Sequence, residues 1–331
     1  MSFNQFILKQ QYQKVKGLGD RLELMKDQIN WKKFVPIVAS VFKDNREQGG
    51  RPHTDETLVV RAMVLQECYG LSDPEFEYQA HNRLDFHNFL DFPESIPDFT
   101  TIWKIRERLK EAGIEKKIWK ELQRQLDVRG YEIKKGVIQD ATFVEADLGR
   151  KRHYKEKRAR KKGEKIEYTK KQKQHIDHDG SFSIKHGQVH YGYKTHTKSD
   201  VGNQLIRSYE VSTASLHDAE VDLVEEGDDT AYRDKGYFGR ALNAEGVSNK
   251  TMKRATKNRK LNGGEQLRNK AISRIRAPGE RPYGVVKRVF HNNRTLVKTL
   301  ERVSIKQMFT YFAYNLYQLV TLVRNEIAIA T

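Results

Sequence analysis

Three acidic residues, in separate segments of the chain, have the side chains that metal-dependent phosphate chemistry uses. Asp140 lies in GVIQDATFVEAD, Asp234 in TAYRDKGYFG and Glu280 in RIRAPGERPYGVVKRVF. Carboxylate oxygens are hard ligands that suit Mg²⁺ or Mn²⁺. Two such ions can stabilise both the attacking and the leaving oxygen of a phosphodiester. The three residues are therefore candidate catalytic groups and candidate ligands of two metal ions.

The charge of the chain points to a polyanionic partner. The formal net charge is +17, from 61 Lys and Arg against 44 Asp and Glu. Residues 1–130 hold 21 basic and 20 acidic side chains, whereas residues 131–331 hold 40 and 24. Nucleic acid would be attracted to such a surface, and a carboxylate cluster would repel it unless divalent metal lay between them. The nucleic-acid surface is therefore expected mainly in residues 131–331.

Composition excludes several classes of protein. The single cysteine, Cys68, rules out an internal disulfide framework and a cysteine-based zinc finger. The sequence contains no Walker A and no G-x-S-x-G pattern. No signal-peptide pattern opens the chain, and the longest mostly apolar stretch, residues 308–323, is short for a bilayer span. We therefore expect a cytoplasmic protein with no membrane partner.

Residues 1–130 are predicted to form an all-helical domain. Apolar residues recur at helical spacing in residues 56–69, and the segment TTIWKIRERLKEAG places Ile102, Ile105 and Leu109 on one helix face. The short helix–turn–helix spacing is compatible with docking in a DNA groove. The near-zero net charge favours dimerisation or packing instead, so both roles remain open.

The pattern changes at residue 131, where an α/β domain covering residues 131–331 is predicted. A strand ending in VIQDATFVEA is followed by a basic insertion at about 150–187, whose residues 151–175 carry 12 Lys and Arg and three Glu and suggest a mobile arm. An antiparallel hairpin, a short acidic helix (HDAEVDLVEEG), the strand TAYR and later helices follow. This order predicts a ribonuclease-H-like mixed sheet flanked by helices. That fold gathers one acid from its first strand, one from its fourth strand and one from a later helix.

Seven segments of the chain resemble those of DDE transposases of the insertion-sequence-five family, which is related to the insertion-sequence-four group. They occur in family order: IPDFTTIWKIRERL, VIQDATFVEAD, HYGYKTHTKSD, LIRSYEVSTASLHDAEVDL, YRDKGYFG, RNKAISRIRAPGERPYGVVKRVF and FAYNLYQLVTLV. The resemblance implies that Asp140, Asp234 and Glu280 are the catalytic acids and that Mg²⁺ or Mn²⁺ is the cofactor.

The resemblance also implies a function. A prokaryotic, nucleoid-associated enzyme would bind the terminal inverted repeats of its own element and cleave the double-stranded DNA by metal-activated water. It would then join the freed 3′-hydroxyl to target DNA, acting as at least a homodimer. One alternative is a ribonuclease-H-like nuclease without strand transfer. The other is a DNA-binding protein that has lost catalysis, which the intact segments around all three acids disfavour.

Basic residues near the acids are candidate DNA ligands. The related group's signature places Tyr, Arg, Glu and Lys at fixed spacing; Arg276, Glu280 and Lys287 keep it, but Ser273 stands where Tyr would be. Lys287 lies two helical turns after Glu280 and so shares its face. Lys287 and Arg276 are predicted to bind phosphates beside the metals. The remaining DNA-binding candidates are Arg281, Lys235, Lys161 and Lys162.

Two alternatives concern the site itself. Asp229, in DDTAYR, competes with Asp234 as the second acid. We prefer Asp234 because the apolar strand runs into it and KGYFG supplies the turn expected at a strand's end. A second possible metal site, for zinc, combines two histidines and two aspartates at the end of the basic arm; a solvated loop is the favoured interpretation of these residues, which are His175, Asp177, His178 and Asp179.

Overall fold

The helical character of the first part of the chain agrees with the sequence prediction. The computed structural model describes residues 2–42, 54–148, 150–171, 176–185 and 187–330. Before residue 129, the described residues form helices and their connections, with a 3₁₀ turn at Trp31–Phe34. The α-helices are α1 (Phe3–Gly17), α2 (Arg21–Lys26), α3 (Val35–Ala39), α4 (Glu56–Cys68), α5 (Asp73–Asn82), α6 (Leu84–Phe89), α7 (Phe99–Ala112) and α8 (Glu115–Val128).

Helix α7 illustrates how local sequence sets these elements. The Asp98 carboxylate caps its first turn by accepting from the Thr101 amide at 2.7 Å. Its buried face consists of Ile102, Ile105 and Leu109, the residues predicted from their spacing. The helix ends at Gly113, whose φ of +58° lies in the left-handed region that glycine adopts without strain.

A mixed sheet forms the second part of the molecule, with β1 (Val137–Ala146) at its centre. The strand β3 (Gln188–Asp200) runs antiparallel to β1, and on its far side β3 pairs antiparallel with β2 (Ser181–Lys185) and β4 (Ile206–Thr213). The β3–β4 hairpin is the one predicted from sequence. On the opposite edge of β1 lie β5 (Thr230–Arg233) and then β6 (Ser248–Thr251), both parallel to it; the short β7 (Arg294–Thr295) pairs with its end.

The basic insertion differs from the prediction of a mobile arm. Its residues Arg150–Lys162 form a helix, α9, and its last residues form β2, which belongs to the sheet. Lys and Arg are good helix formers, but they give no apolar periodicity from which a helix could be recognised. Tyr168 packs back on α9: its hydroxyl donates to Glu156 at 3.0 Å, and the Lys155 ammonium lies 5.3 Å from its ring centre.

The predicted acidic helix after β4 is also wrong. Only Asp218–Glu220 is helical, as a single 3₁₀ turn. The chain beyond it runs across the sheet because the buried Gln139 side chain of β1 donates to the Val221 carbonyl at 2.6 Å and accepts from the Leu223 amide at 3.3 Å. A tertiary contact therefore replaces the helical hydrogen bonds that the sequence pattern suggested.

Three helices complete the fold: α10 (Gly263–Arg276), α11 (Arg281–Arg288) and the long α12 (Leu300–Ala330), which contains the predicted helix at residues 305–327. The α12 helix lies between the N-terminal helices and the sheet; Phe312 stacks on Trp31, and the Tyr311 hydroxyl bonds Thr195 of β3 at 2.9 Å. One hydrophobic core thus joins the helical region to α11, α12 and the start of β4. In the described part of the chain, no helix combines the length and apolarity needed to span a membrane.

Candidate active site

One face of β1 carries the residues around which the site is built. Side chains alternate along a strand, so Ile138, Asp140 and Thr142 share a face. The α10–α11 region covers this face, and it contacts each of the three residues in turn through Gly279, Arg276 and Lys287. The segment containing Glu280 is therefore anchored along the strand that carries Asp140.

Gly279 permits close packing of its backbone against Ile138. It lies in a 3₁₀ turn, Ala277–Glu280, that connects α10 to α11. A Cβ added to Gly279 would lie 2.9 Å from Cγ2 of Ile138, closer than packed carbon atoms come. Glycine thus allows the turn to lie against β1, and the next residue, Glu280, occupies the position directly before α11. The prolines flanking Glu280 are consistent with this helix start.

Asp234 reaches the same region from the neighbouring strand. The parallel register pairs Val137 with Ala231 and Gln139 with Arg233. Extending it by one residue places Asp234 opposite Asp140, at an interstrand separation of about 4.8 Å. The Asp234 carboxylate accepts from the Gly236 amide at 2.7 Å and so caps the 3₁₀ turn Lys235–Tyr237 that ends the strand.

The electrostatic surroundings of Asp140 link the three acids. The pKa of its carboxyl is raised to about 6, chiefly by burial, and the nearby Glu280 and Asp234 carboxylates contribute to this rise. Arg276 and the Ala141 amide act in the opposite direction by stabilising the ionised form. Asp140 is thus a largely desolvated acid that interacts with two like charges, a combination typical of functional sites.

Arg276 is the cation closest to Asp140. Its Nη2 lies 3.1 Å from Oδ2 of Asp140, and its Nη1 lies 3.8 Å from Sδ of Met252. Its Nε is buried and has no acceptor among the described residues. The sequence predicts that Arg276 binds phosphate. In the structure its guanidinium forms an ion pair with Asp140, a residue that is predicted to bind metal.

Lys287 lies two positions along β1 from this ion pair. Its ammonium donates to Thr142 Oγ1 at 2.6 Å. Burial lowers the pKa of Lys287, and Lys185 lowers it further, while Glu145 and Glu280 raise it. Lys287 is therefore close to Glu280 and bonds a residue two positions from Asp140 on β1; this direct partner is a threonine that the sequence did not single out.

The other basic candidates lie in different surroundings. Lys235 is exposed directly after Asp234. The Arg281 guanidinium is directed toward α12, where its Nε donates to Gln318 at 2.9 Å. Lys161 and Lys162 are exposed at the end of α9, and Lys162 lies 3.7 Å from Glu164. Lys235 directly follows Asp234 and Arg281 directly follows Glu280 in the chain, but the Arg281 side chain is directed away toward α12.

The alternative second acid lies at the far end of β5. Asp229 precedes the strand, is exposed, and its carbonyl accepts from the Ser248 amide at 2.9 Å. Five residues of extended chain, about 16 Å, separate it from Asp234. The structure thus brings Asp234, and not Asp229, to the position opposite Asp140.

The proposed zinc residues have structural partners. His175 lies outside the described residues. Asp177 is buried and accepts from the Tyr193 hydroxyl at 2.7 Å, while Asp179 accepts from the Leu300 amide at 2.8 Å and so supports the start of α12. Across the described ranges, no three His, Cys, Asp or Glu side chains form a ready-made metal-binding group, at this position or at the three acids.

Thr142, Gly279 and Lys185 belong to the site region and were not predicted from sequence. The alternation of side chains along β1 could have indicated Thr142, since it lies two residues after Asp140. The contact between Gly279 and Ile138 joins segments far apart in the chain and leaves no local signal. Lys185 reaches the region only through the β2–β3 pairing.

Two regions of the chain match models of known protein families. Residues 131–316 match the family model described as a transposase DDE domain. Residues 9–108 match a second model, described as a transposase domain (DUF772). No solved structure matches the chain. The first match covers more than half of the sequence and contains all three acids, so this chain belongs to the DDE transposase family.

Proposed function

We propose that this protein binds the terminal inverted repeats of an insertion sequence, cleaves the DNA ends by metal-dependent phosphodiester hydrolysis and joins the 3′-hydroxyl to target DNA. Asp140, Asp234 and Glu280 are its catalytic acids. The observation that carries the proposal is the placement of the three acids: Asp140 lies on the central strand, Asp234 directly follows the neighbouring parallel strand, and Glu280 follows the turn that packs on β1 through Gly279. Membership of the DDE transposase family supports the same assignment. The finer assignment, to the insertion-sequence-five family, rests on the seven segments of the sequence.

The strand arrangement supports a ribonuclease-H-like fold. Three consecutive strands of the sheet, β4, β3 and β1, are antiparallel, and β5 and β6 continue the sheet in parallel with β1. The first acid lies on the first strand, the second directly after β5, which is the fourth strand when β2 of the basic insertion is left out, and the third at the start of a later helix. This distribution is the one that the fold requires.

The three acids suit a divalent metal in chemistry and in charge. All offer hard oxygen ligands. The pKa of Asp140 is raised chiefly by burial and also by the Glu280 and Asp234 carboxylates, and a bound cation would favour the ionised form of all three. Asp140, Asp234 and Glu280 would hold Mg²⁺ or Mn²⁺, two ions per site. Bound there, the metal would activate water and stabilise charge on the phosphate oxygens. The Arg276–Asp140 ion pair would open to free a carboxylate oxygen.

The basic residues of the site have separate roles in this proposal. Arg276, released from Asp140, would bind a DNA phosphate with its guanidinium, and its unpartnered Nε would contribute a donor. Lys287 offers a point charge beside it. Lys235, Arg281, Lys161 and Lys162 would contact the DNA farther from the reacting bond. A dimer on DNA is required because two element ends must be held together.

The test is a reconstituted reaction. Duplexes carrying the inverted repeats that flank the gene are incubated with the full chain, Mg²⁺ and a supercoiled target plasmid. Cleavage at the repeat ends together with covalent joining to the plasmid supports the proposal. Cleavage without joining would indicate a nuclease, and binding without cleavage would indicate a DNA-binding protein; either result would overturn the proposed function.

A further inference from the structure

A small cleft adjoins the acidic site on the side of Lys287. Its volume is about 360 Å³, and its walls come from the end of β1, the β2–β3 hairpin and α11. A water occupies about 30 Å³ in the liquid, so the cleft has room for a phosphate group with several waters. The lining residues are Thr142, Phe143, Glu145, Lys185, Gln188, His190, Lys287 and Asn293.

Two ammonium groups line this cleft. Lys287 is half-buried and donates to Thr142, while Lys185, the last residue of β2, lies with its Nζ 5.8 Å from the ring centre of Phe143. Burial is the main cause of the lowered pKa of Lys287; Glu145 and Glu280 act against it, and the nearby Lys185 acts with it. Neither ammonium has a carboxylate within ion-pair distance in the described part of the chain.

The remaining walls hold these groups in place. The Phe143 ring stacks on His190 with 4.2 Å between ring centres, which fixes the surface on which Lys185 rests. Glu145 is the one acid of the cleft, and its Oε1 accepts from His190 Nδ1 at 2.5 Å. Two ammonium groups that line one cleft repel each other, and an anion bound between them would relieve that repulsion.

We propose that this cleft binds a non-scissile phosphate of the cleaved DNA strand between Lys185 and Lys287. The proposal rests on the proposed function and adds Lys185 as a DNA-positioning residue. Thr142 lies two residues, about 7 Å, from Asp140 along β1. Phosphates on one DNA strand advance by about 3.4 Å per nucleotide along the helix axis. The bound phosphate is therefore within about two nucleotides of the reacting one.

The test removes one charge from each partner. Binding is measured in EDTA, so that no chemistry occurs, with end duplexes in which a single phosphate near the cut is replaced by a neutral methylphosphonate. Lys185→Ala is compared with Lys117→Ala, which removes an equal charge from an exposed position on α8. Both variants are first matched for folded content by circular dichroism.

The expected result is position-specific. Lys185→Ala weakens binding to unmodified DNA by about fivefold, and this loss disappears on the duplex that lacks one particular phosphate within about two nucleotides of the cut. Lys117→Ala shows no such dependence. Glu145→Gln, which removes the repelling carboxylate and keeps a hydrogen-bond acceptor for His190, strengthens binding to the unmodified duplex.

Other outcomes separate the two proposals. If the wild-type chain binds and cleaves DNA but Lys185→Ala behaves as Lys117→Ala on every duplex, the phosphate cleft is refuted while the proposed function stands. If the wild-type chain neither binds nor cleaves the end duplexes, both are refuted. If Lys185→Ala loses the same binding affinity on every methylphosphonate duplex, Lys185 contributes only general electrostatic attraction. The proposal that the cleft binds one particular phosphate is then refuted.

Discussion

Two carboxylates of this molecule, those of Glu67 and Asp140, have opposite electrostatic surroundings. Glu67, buried at the end of α4, has Oε2 within 2.5 Å of the Lys306 ammonium, 2.6 Å of the Asn292 amide and 3.1 Å of the Thr310 hydroxyl. Asp140 has one guanidinium at 3.1 Å and its neighbouring backbone amide, and two further acids raise its pKa. Glu67 joins the N-terminal helices to α12 through several partners of its carboxylate, whereas Asp140 joins β1 to α10 through a single ion pair and lies near two like charges.

The difference separates a structural charge from a functional one. A buried ion that is fully paired is costly to disturb because its partners would be left unsatisfied. A buried ion among like charges lowers the stability of the folded state. Such an arrangement is typical of functional sites, where a bound cation can supply the opposite charge. The predictions below test this contrast, from the largest expected effect to the smallest.

Neutralising any one of the three acids should remove catalysis. Asp140→Asn, Asp234→Asn and Glu280→Gln should each lower DNA cleavage by at least about 10³-fold, because each removes a metal ligand. Binding of the end duplex in a mobility-shift assay should remain, since none of the three contacts phosphate directly. Cleavage at near wild-type rate by Asp234→Asn would remove this residue from the site.

Neutralising Glu67 should instead damage the fold. Glu67→Gln leaves Lys306 buried and unpaired, so the free energy of unfolding should fall by about 3–5 kcal/mol. Urea denaturation measures this, with Glu111→Gln at an exposed position on α7 as the control. A loss no greater than that of Glu111→Gln would contradict the contrast between Glu67 and Asp140.

Neutralising Asp140 should stabilise the metal-free protein. Its pKa is raised from 3.8 to about 6 on folding. The folded state therefore binds a proton more tightly than the unfolded chain, and stability falls as pH rises from about 4 to about 6. The shift corresponds to about 3 kcal/mol.

Asp140→Asn lacks this titration. Its free energy of unfolding in EDTA should exceed that of the wild type by up to about 3 kcal/mol at pH 8, and the difference should vanish near pH 4. Chemical denaturation at the two pH values checks it. Equal stabilities at pH 8 would show that the Arg276 ion pair already compensates the charge of Asp140.

Removing Arg276 should strengthen metal binding and slow DNA cleavage. Arg276→Gln removes a cation that competes for Asp140, so Mn²⁺ should bind about tenfold more tightly by isothermal titration calorimetry. DNA cleavage should nevertheless slow because a phosphate contact is lost. Arg274→Gln, on the exposed face of α10, is the matched control. Unchanged Mn²⁺ affinity would show that the ion pair does not oppose metal binding.

The fold could be predicted from sequence where elements carry their own signals. The apolar spacing and Gly113 of α7, and the hairpin of β3 and β4, are local features and were predicted. The α9 helix was missed because its basic residues show no apolar periodicity. The acidic helix was wrong because Gln139, more than eighty residues away in the chain, binds the backbone at Val221.

The site could be predicted only in part for a similar reason. Residue type and motif spacing indicated Asp140, Asp234 and Glu280 as candidates, and the structure places Asp234 at the β5 end beside Asp140. The Arg276–Asp140 ion pair spans 136 positions of the sequence and depends on how α10 crosses β1. Lys185 enters the region through strand pairing alone. Such contacts arise from tertiary packing, which no local pattern encodes.

The most direct test of the account compares the two ends of β5. Mn²⁺ binding at pH 7.5 is measured by electron paramagnetic resonance for the wild type, Asp234→Asn and Asp229→Asn, which lose the same charge. We predict that Asp234→Asn loses most of the bound Mn²⁺ and that Asp229→Asn binds as the wild type does. Retained binding in Asp234→Asn together with loss in Asp229→Asn would contradict the site assigned here.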